Sequence, residues 1–217
     1  MKVELISYSK PVNGDKSIQD LVAYCARVSN PSNQNNTETN DKLINYLIKN
    51  QHWSPFEMVH ICIEIESTRD IVRQILRHRS FSFQEFSQRY AVADLGFVCR
   101  EARLQDTKNR QNSIDIIKNH LTKEWEMKQQ NIIEVVQNTY KWALSNGIAK
   151  EQARAVLPEG ITVSKIYMSG TLRSWMHYIQ LRSGNGTQKE HREVAIECAK
   201  AIESIFPICQ ILKLDIT

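Results

Sequence analysis

The segment from residue 58 to residue 66 constrains the fold more than any other part of this chain. It reads MVHICIEIE, so that apolar and polar residues alternate, and a period of two predicts a strand with one face in a core. An amphipathic helix is predicted directly after it, from Arg69 to about His78, because apolar residues recur there at helical spacing. A strand that passes straight into a helix requires a core built from both kinds of element.

Further strands and helices are mixed along the chain without a regular alternation, which favours the α+β class. Strands are predicted over 3–8 and 161–168, and helices after Ser17, over 41–49, within 114–146, over 149–157, around 172–179 and around 194–205. Ser17 and Asp20 have the spacing of an approximate capping box, and Gly147 is a predicted C-cap. The apolar side predicted for the long helix consists of Trp125, Ile132, Val136 and Trp142.

Composition and charge exclude several classes of protein. The chain has 217 residues, of which 41% are hydrophobic, enough to bury a core without metals or disulfides. A net charge of +4 is too small to argue for wrapping nucleic acid, and no apolar run approaches the ~20 residues of a membrane helix. The five cysteines form no Cys-x-x-Cys pair. Neither a disulfide framework nor a metal site is therefore expected. Free cysteines of this kind predict a protein of the reducing cytoplasm.

One segment, RHRSFSFQEFSQRY at residues 77–90, is chemically distinctive. Arginine forks and serine hydroxyls suit a phosphate dianion, amides can contact a pyrimidine edge, and phenylalanine rings can flank a flat ligand. On composition alone, a solvated basic turn favoured by the dipole at the C-terminus of the preceding helix is an equal alternative. The sequence contains no glycine-rich phosphate loop.

The spacing within this segment resembles the signature of the flavin-dependent thymidylate synthases, the ThyX family, and its Phe-Gln-Glu-Phe-Ser-Gln run is similar to that of viral members. The fixed positions of the signature are filled by Arg77, His78, Arg79, Ser82, Glu85, Ser87, Arg89 and Tyr90. Segments at 52–57, 153–158 and 172–182 are also similar to the family, whereas residues 91–147 match only loosely. The resemblance therefore covers most of the chain.

The resemblance implies a fold, a reaction and its cofactors. The fold would be α+β with a central, mostly antiparallel sheet flanked by helices, in a single domain over residues 1–217 that forms a homotetramer with shared active sites. The reaction would methylate dUMP to dTMP, with 5,10-methylenetetrahydrofolate as carbon donor and FAD, reduced by NADPH, as hydride source. A flavin is consistent with this chemistry because no side chain can supply a hydride. The location would be the cytoplasm, or the host cytoplasm for a viral protein.

The resemblance also assigns two sets of contacts residue by residue. The dUMP set is Gln74, Arg77, Gln84, Glu85, Ser87, Gln88, Arg89, Arg154 and Arg182. The set for FAD or folate is Ser29, His52, Ser54, Glu57, Arg77, His78, Arg79, Glu85, Thr171, Arg173 and His177. Arg89 and Arg154 would bind the phosphate. Arg182 would be the catalytic residue, because a fixed cation stabilises negative charge that develops on a uracil oxygen.

Three positions depart from the common family pattern. This chain has Gln84 where many members have Asn, Thr171 where some members have Asn, and Met58 where His is frequent. Gln84 and Thr171 can still hydrogen-bond, whereas Met58 cannot replace an imidazole. No cysteine lies in or beside the matching segments, which favours a mechanism without a cysteine nucleophile. Ser87 has no evident base partner and is assigned to ligand binding.

Two other functions are compatible with parts of the pattern. A nucleic-acid-binding protein would use Arg77, Arg79 and Arg89, with the phenylalanines as stacking platforms. A non-catalytic nucleotide-binding protein would keep the fold and lose turnover. The modest charge argues against the first and the filled signature against the second. Of the remaining histidines, His120 and His191 are expected at the surface.

Overall fold

A central sheet of four antiparallel strands organises the molecule, in a computed structural model that describes residues 1–12, 16–117 and 119–214. Across the sheet the strand order is β1–β2–β6–β3. These strands are β1 (Lys2–Tyr8), β2 (His60–Thr68), β3 (Phe81–Glu85) and β6 (Val163–Thr171). A separate two-stranded sheet pairs β4 (Arg103–Gln105) with β5 (Ser113–Asp115). The predicted α+β class with an antiparallel sheet is confirmed.

The described part of the chain forms eight α-helices. They are α1 (Ile18–Ala26), α2 (Asn40–Lys49), α3 (Arg69–Ile75), α4 (His120–Ser145), α5 (Lys150–Ala153), α6 (Leu172–Arg182), α7 (Lys189–Glu203) and α8 (Ile208–Leu212). Ser17 and Asp20 form the predicted capping box, and Gly147 follows α4 with a positive φ of 75°, as expected for a C-cap. Within the described ranges, none of the helices is both long and apolar enough to cross a membrane.

The hydrophobic core lies on one face of the central sheet. Ile61, Ile63 and Ile65 of β2 are at most 1% exposed, which confirms the predicted alternation. They belong to one buried cluster with Met168 of β6 and Trp175 of α6. Burying each such side chain stabilises the fold by about 1.5–3 kcal/mol. The helices are therefore held against this face mainly by apolar contacts.

The two inner strands continue into helices without an intervening loop. β2 ends at Thr68 and α3 begins at Arg69, while β6 ends at Thr171 and α6 begins at Leu172. Both threonines are N-cap residues with extended backbone, as helix starts require. These junctions bring the helices that carry several predicted site residues directly out of the middle of the sheet.

Several predicted boundaries are displaced by tertiary pairing. Helix α3 ends at Ile75 rather than near His78, because residues 77–80 turn the chain into β3. The long helix begins at His120 rather than at 114, because residues 113–115 form β5 and pair with β4. Strand β6 reaches Thr171 instead of residue 168, because its pairing with β2 continues to that position.

The apolar side predicted for α4 is wrong as a buried face. Trp125, Ile132 and Trp142 are 42%, 48% and 61% exposed, and only Val136 packs partly into a small cluster. The residues of α4 that the chain buries are Gln129, Ile133, Tyr140 and Ala143. The rest of the chain covers the stripe of α4 formed by these four residues. The neighbouring stripe, which carries Trp125, Ile132 and Trp142, stays exposed.

Candidate active site

The segment 77–90 sends its side chains to two different faces of the sheet. Strand β3 pairs with β6, and successive strand residues point in opposite directions. Phe81 and Phe83 pack into the core, and Glu85 shares their face. Gln84 is exposed on the other face. Within one chain, the structure therefore does not bring Gln84 together with Glu85.

Two arginines of α3 hold Glu85. Arg73 Nη1 lies 3.2 Å from Glu85 Oε2, and Arg69 Nη1 lies 3.4 Å from Oε1. Ser164 Oγ also donates to Oε1 over 3.3 Å. Burial lowers the pKa of Arg69, and the charge of Glu85 opposes that shift. The carboxylate is thus fixed in orientation, and its remaining lone pairs can accept from a ligand hydroxyl.

The two predicted phosphate-binding arginines meet at one residue of α5. Arg89 Nε lies 3.6 Å from Glu151 Oε2, and Arg154 Nε donates to the carbonyl oxygen of Glu151 over 3.3 Å. Arg89 is exposed and Arg154 is half-buried. Each guanidinium has five N–H donors, so both retain donors for an anion. The structure therefore brings together two arginines that lie far apart in the sequence.

Arg182, the predicted catalytic residue, is the last residue of α6. Its Nε donates to Nε2 of His78 over 2.9 Å. Because a guanidinium only donates, His78 accepts at Nε2 and carries its proton on Nδ1. Burial, and then the charge of Arg182, lower the pKa of His78, which keeps this imidazole neutral near pH 7. The hydrogen bond to His78 uses Nε of Arg182 and neither of its terminal nitrogens.

His191 is buried, so its predicted surface position is wrong. It is 0% exposed, because it continues the apolar stripe of α7 that includes Val194. Its Nδ1 lies 3.2 Å from Gln74 Oε1, and its Nε2 lies 3.2 Å from the hydroxyl oxygen of Tyr178. The Tyr178 ring packs edge-on against His78, with ring centroids 4.9 Å apart. The His191 imidazole is thus connected to two predicted site residues.

A second cluster lies beside the 3-10 helix Ser54–Met58. Glu57 of this helix forms an ion pair with Arg173 of α6. One turn further along α6, the His177 ring packs edge-on against Trp53, with centroids 4.8 Å apart. Burial, and then the charge of Arg173, lower the pKa of His177. The structure confirms that Arg173 and His177 share a helix face and places Glu57 with them.

Most of the chain matches one family of proteins. The family model described as Thymidylate synthase complementing protein matches residues 4–208. A probable flavin-dependent thymidylate synthase of Paramecium bursaria Chlorella virus 1 is 47% identical over 208 residues, which cover 95% of this chain and 96% of the viral protein. The chain belongs to the flavin-dependent thymidylate synthase family. It is accordingly an enzyme of the methyltransferase class, and the predicted similarity to a viral member is confirmed.

Bacterial flavin-dependent thymidylate synthases are also similar to this chain. The flavin-dependent thymidylate synthase of Synechocystis sp. is 48% identical over 211 residues, covering 95% of this chain and 96% of that protein. A crystal structure of the UMP/dUMP methylase PolB from Streptomyces cacaoi, bound with 5-Br dUMP, has the same fold, with a TM-score of 0.83 and 26% identity. The alignment covers 97% of this chain and 93% of PolB. The predicted family fold is therefore confirmed.

In a flavin-dependent thymidylate synthase, the cluster beside Ser54–Met58 has donors that fit FAD. Arg173 of this cluster has a side chain that is 42% exposed, and Arg79, in the turn before β3, is also exposed. Such cations suit a pyrophosphate, and Trp53 offers an aromatic surface to a flat ring system. Gln88 of the predicted dUMP set has a buried amide nitrogen, Nε2, with no hydrogen-bond partner in the part of the chain that the structure describes.

Other predicted flavin contacts border one region. The His52 ring lies edge-on to Tyr46, with centroids 5.9 Å apart. Ser29 and Tyr46 line the same surface cavity beside α1 and α2. Ser54 is exposed at the start of its 3-10 helix, close in sequence to His52. The structure brings Ser29 and His52 to the same tyrosine.

Two further predicted contacts, Thr171 and Ser87, have local structural roles. The hydroxyl of Thr171 caps α6 by accepting from Ser174 N over 3.1 Å, so it has a structural function besides any contact with a flavin. The carbonyl oxygen of Ser87 accepts from two backbone N–H groups of the following turn. Arg77 is exposed after α3. His120, a residue outside the predicted site, is exposed as expected.

The sequence prediction missed several residues that shape this site. Arg69 and Arg73 are four positions apart on α3, and this spacing places both on one helix face. That spacing was the available signal for their shared contact with Glu85. Tyr178 and Gln188 gave no comparable signal, because they meet Gln74 and His191 only through the packing of α6 and α7 against α3.

Proposed function

We propose that the chain converts dUMP to dTMP, with 5,10-methylenetetrahydrofolate as carbon donor and FAD, reduced by NADPH, as hydride source. It would act as a single domain over residues 1–217. The observation that carries the proposal is the filled signature at 77–90, in a chain whose relatives are named flavin-dependent thymidylate synthases. The 5-Br dUMP bound to the related methylase supports dUMP as the ligand.

Binding of dUMP begins with its phosphate. Arg89 and Arg154 converge at Glu151, and paired guanidinium groups hold a dianion with short, charge-assisted hydrogen bonds. Glu85, whose orientation two arginines fix, accepts from a hydroxyl of the sugar. Ser87 contributes its hydroxyl from the turn that follows β3. The nucleotide is thereby oriented with its base toward the end of α6.

Arg182 acts on the base of the bound nucleotide. Its guanidinium would polarise the uracil ring, because a fixed cation stabilises enolate-like negative charge on a uracil carbonyl oxygen. His78 keeps Arg182 in place by accepting from its Nε over 2.9 Å. Since the pKa of His78 is lowered, the imidazole stays neutral and does not repel the guanidinium. His78 therefore positions Arg182 and leaves its terminal nitrogens for the substrate.

FAD would be held by residues on both sides of the 3-10 helix Ser54–Met58. The residues that would bind and orient FAD or the folate are Ser29, His52, Ser54, Glu57, Arg77, His78, Arg79, Glu85, Thr171, Arg173 and His177. When bound and reduced, FAD supplies the hydride that completes the methyl group. The Glu57–Arg173 ion pair fixes one cation at this edge, so that the arginine is oriented before the cofactor binds.

The proposed mechanism uses no cysteine nucleophile. Burial raises the pKa of the thiols of Cys25, Cys62 and Cys99, and Cys198 and Cys209 are buried. The thiolate is the reactive form of cysteine, so these environments disfavour attack on the uracil ring. All five cysteines are free, which suits the cytoplasm, or that of a host if the source is viral.

We further propose that the active enzyme is a homotetramer with active sites shared between subunits. Helix α4 exposes a stripe that includes Trp125, Ile132, Val135 and Trp142. An exposed apolar stripe of this kind marks an interaction surface. A second copy of the chain would cover it, and the buried Nε2 of Gln88 could then find its acceptor on the nucleotide or on that subunit.

An anaerobic visible spectrum of the FAD-reconstituted protein tests the proposal. NADPH should bleach the flavin band, faster with dUMP present, and 5,10-methylenetetrahydrofolate should restore the band as dTMP appears. A folded sample that binds no FAD would contradict the proposal and direct attention to oligonucleotide binding. Bound FAD that NADPH cannot reduce would leave the fold standing and implicate the departures at Met58, Gln84 and Thr171.

A further inference from the structure

A chain of hydrogen bonds runs from α6 to the start of α7 through one predicted dUMP residue. His191 links Tyr178 to Gln74, with 3.2 Å at each ring nitrogen. Gln74 Nε2 donates to Gln188 Oε1 over 2.8 Å, and Gln188 Nε2 donates to Glu190 Oε2 over 2.9 Å. The residues come from three helices and the loop before α7.

Glu190, the charged residue at one end of this series of hydrogen bonds, determines which group donates in each of them. Burial alone would raise the pKa of Glu190, but the hydrogen bond from Arg103 and the charge of Arg100 lower it to about 2. Glu190 is therefore ionised near neutral pH and can only accept. Gln188 must turn its amide N–H toward Glu190 and its carbonyl toward Gln74.

The same reasoning sets the orientation of Gln74 and the tautomer of His191. Because Gln188 presents an acceptor, Gln74 turns its N–H toward Gln188 and its carbonyl oxygen toward His191. A carbonyl only accepts, so His191 carries its proton on Nδ1 and accepts from the Tyr178 hydroxyl at Nε2. Burial, with the nearby charges of Arg182 and His78, lowers the pKa of His191 to about 4. The imidazole is thus neutral near pH 7, as a donor–acceptor relay requires.

We propose that His191 is a positioning residue that locks the Gln74 amide so that it presents a hydrogen-bond donor to the nucleotide. The inward-facing carbonyl is held by His191, and one N–H of the amide remains for the ligand. This rests on the proposed function, in which Gln74 contacts dUMP. The group recognised would be an oxygen acceptor of dUMP, either a phosphate oxygen or a uracil carbonyl, and a ligand donor at that point would be rejected.

A double-mutant cycle tests this role in the full-length protein. His191→Leu should weaken dUMP binding about tenfold, because the Gln74 carbonyl oxygen loses its donor and Gln188 alone then holds the side chain. Gln74→Leu should weaken binding by at least as much. The double variant should bind no more weakly than Gln74→Leu alone, because His191 acts through Gln74. Independent, multiplicative losses, or unchanged binding in His191→Leu, would overturn the proposal.

Two further variants separate positioning from general destabilisation. Val194→Ala creates a cavity on the same buried stripe of α7 without touching the relay, and it should lower thermal stability while leaving the dUMP Kd unchanged. His191→Asn retains an N–H donor for Gln74 and should recover most of the affinity that His191→Leu loses. A parallel loss of affinity in Val194→Ala would assign His191 a purely structural role.

Repeating the cycle with 2′-deoxyuridine identifies the acceptor. Coupling between Gln74 and His191 that persists without the phosphate places the contact on a uracil carbonyl, and coupling that disappears places it on the phosphate. Either result supports the relay. If the wild-type protein binds no dUMP, the proposed function itself fails, which is distinguishable from normal binding with no coupling.

Nitrogen-15 NMR of histidine-labelled protein gives a readout independent of ligand. The imidazole signals absent from His191→Asn should show the proton on Nδ1 and a lone pair on Nε2. An Nε2–H tautomer would reverse the relay and contradict the proposed orientation of Gln74.

Discussion

At the scale of single residues, Arg182 shows how the packing of a helix end and the chemistry of a site depend on one another. Its Nε is used by His78, whose ring packs against the buried Tyr178. Its terminal nitrogens extend from the last turn of α6. Because the packing contacts of α6 are made by other residues, removal of this guanidinium should affect chemistry much more than folding.

We expect Arg182→Ala to retain bound flavin and to lose dTMP formation, with kcat reduced by roughly 10²–10³ because a fixed cation no longer stabilises the developing charge. Flavin content by absorbance and dTMP by chromatography would measure the two effects. Cys62→Ala is the matched control and should remain active. Unchanged turnover in Arg182→Ala would refute its role, and a folded but inactive Cys62→Ala would reopen a thiol mechanism.

The sequence predicts those site residues that lie within one continuous signature, because their spacing along the chain is visible. Arg77, Glu85 and Arg89 are of this kind. It does not predict partners supplied by other elements, such as Tyr178 for His78. His191 is an instructive error: its chemistry led to a prediction of exposure, although it lies three residues before Val194 and thus on the apolar stripe of α7.

At the scale of elements, the pairing of β3 with β6 depends on a position without a side chain. Gly170 stands opposite Phe81 in the ladder, and the Phe81 ring lies over it. A Cβ built at Gly170 would approach Cε1 of Phe81 to 2.8 Å. The ring cannot move away easily, because it packs edge-on against Trp175 and Tyr178, with centroids 4.9 and 5.9 Å apart.

Gly170→Ala should therefore destabilise the protein by about 1–3 kcal/mol through overpacking. Urea unfolding monitored by circular dichroism would measure the loss. Gly160→Ala is the control, because a Cβ there meets nothing within 4 Å. Equal stability of the two variants would show that Phe81 can relocate without cost.

Strand β2 and helix α6 were predicted well, since their apolar patterns match their burial, whereas the buried face of the longest helix, α4, was not. Short elements and boundaries were not predicted well either. Strands β4 and β5 have no distinctive pattern and exist because they pair with each other. Helix α3 ends early because Phe81 pairs opposite Gly170 in the sheet. Helix propensity depends on local sequence and cannot predict that pairing.

At the scale of the whole molecule, the exposed stripe of α4 is the surface on which the proposed assembly depends. Its side chains follow one another along the helix beside the buried stripe, at about 100° per residue. Sequence periodicity identified this stripe as apolar but could not say whether this chain or another copy covers it.

Replacing Ile132 and Trp142 with Lys should break the proposed tetramer into smaller species, because charges would enter its apolar interface. Sedimentation velocity would measure the change against a wild-type mass of about four times 25.2 kDa. Lys141→Glu, on the exposed side of α4 away from the stripe, should leave assembly intact. A wild-type monomer, or a double variant that still forms tetramers, would contradict this interface.

The direct junctions of β2 with α3 and of β6 with α6 have a consequence for how such chains can change in length. One residue inserted at Thr68–Arg69 would rotate α3 by about 100° and carry Arg69 and Arg73 away from Glu85. An insertion at Thr171–Leu172 would likewise turn Arg182 away from His78. Insertions and deletions during evolution should therefore accumulate in connections such as residues 106–112, while these two junctions keep a constant register.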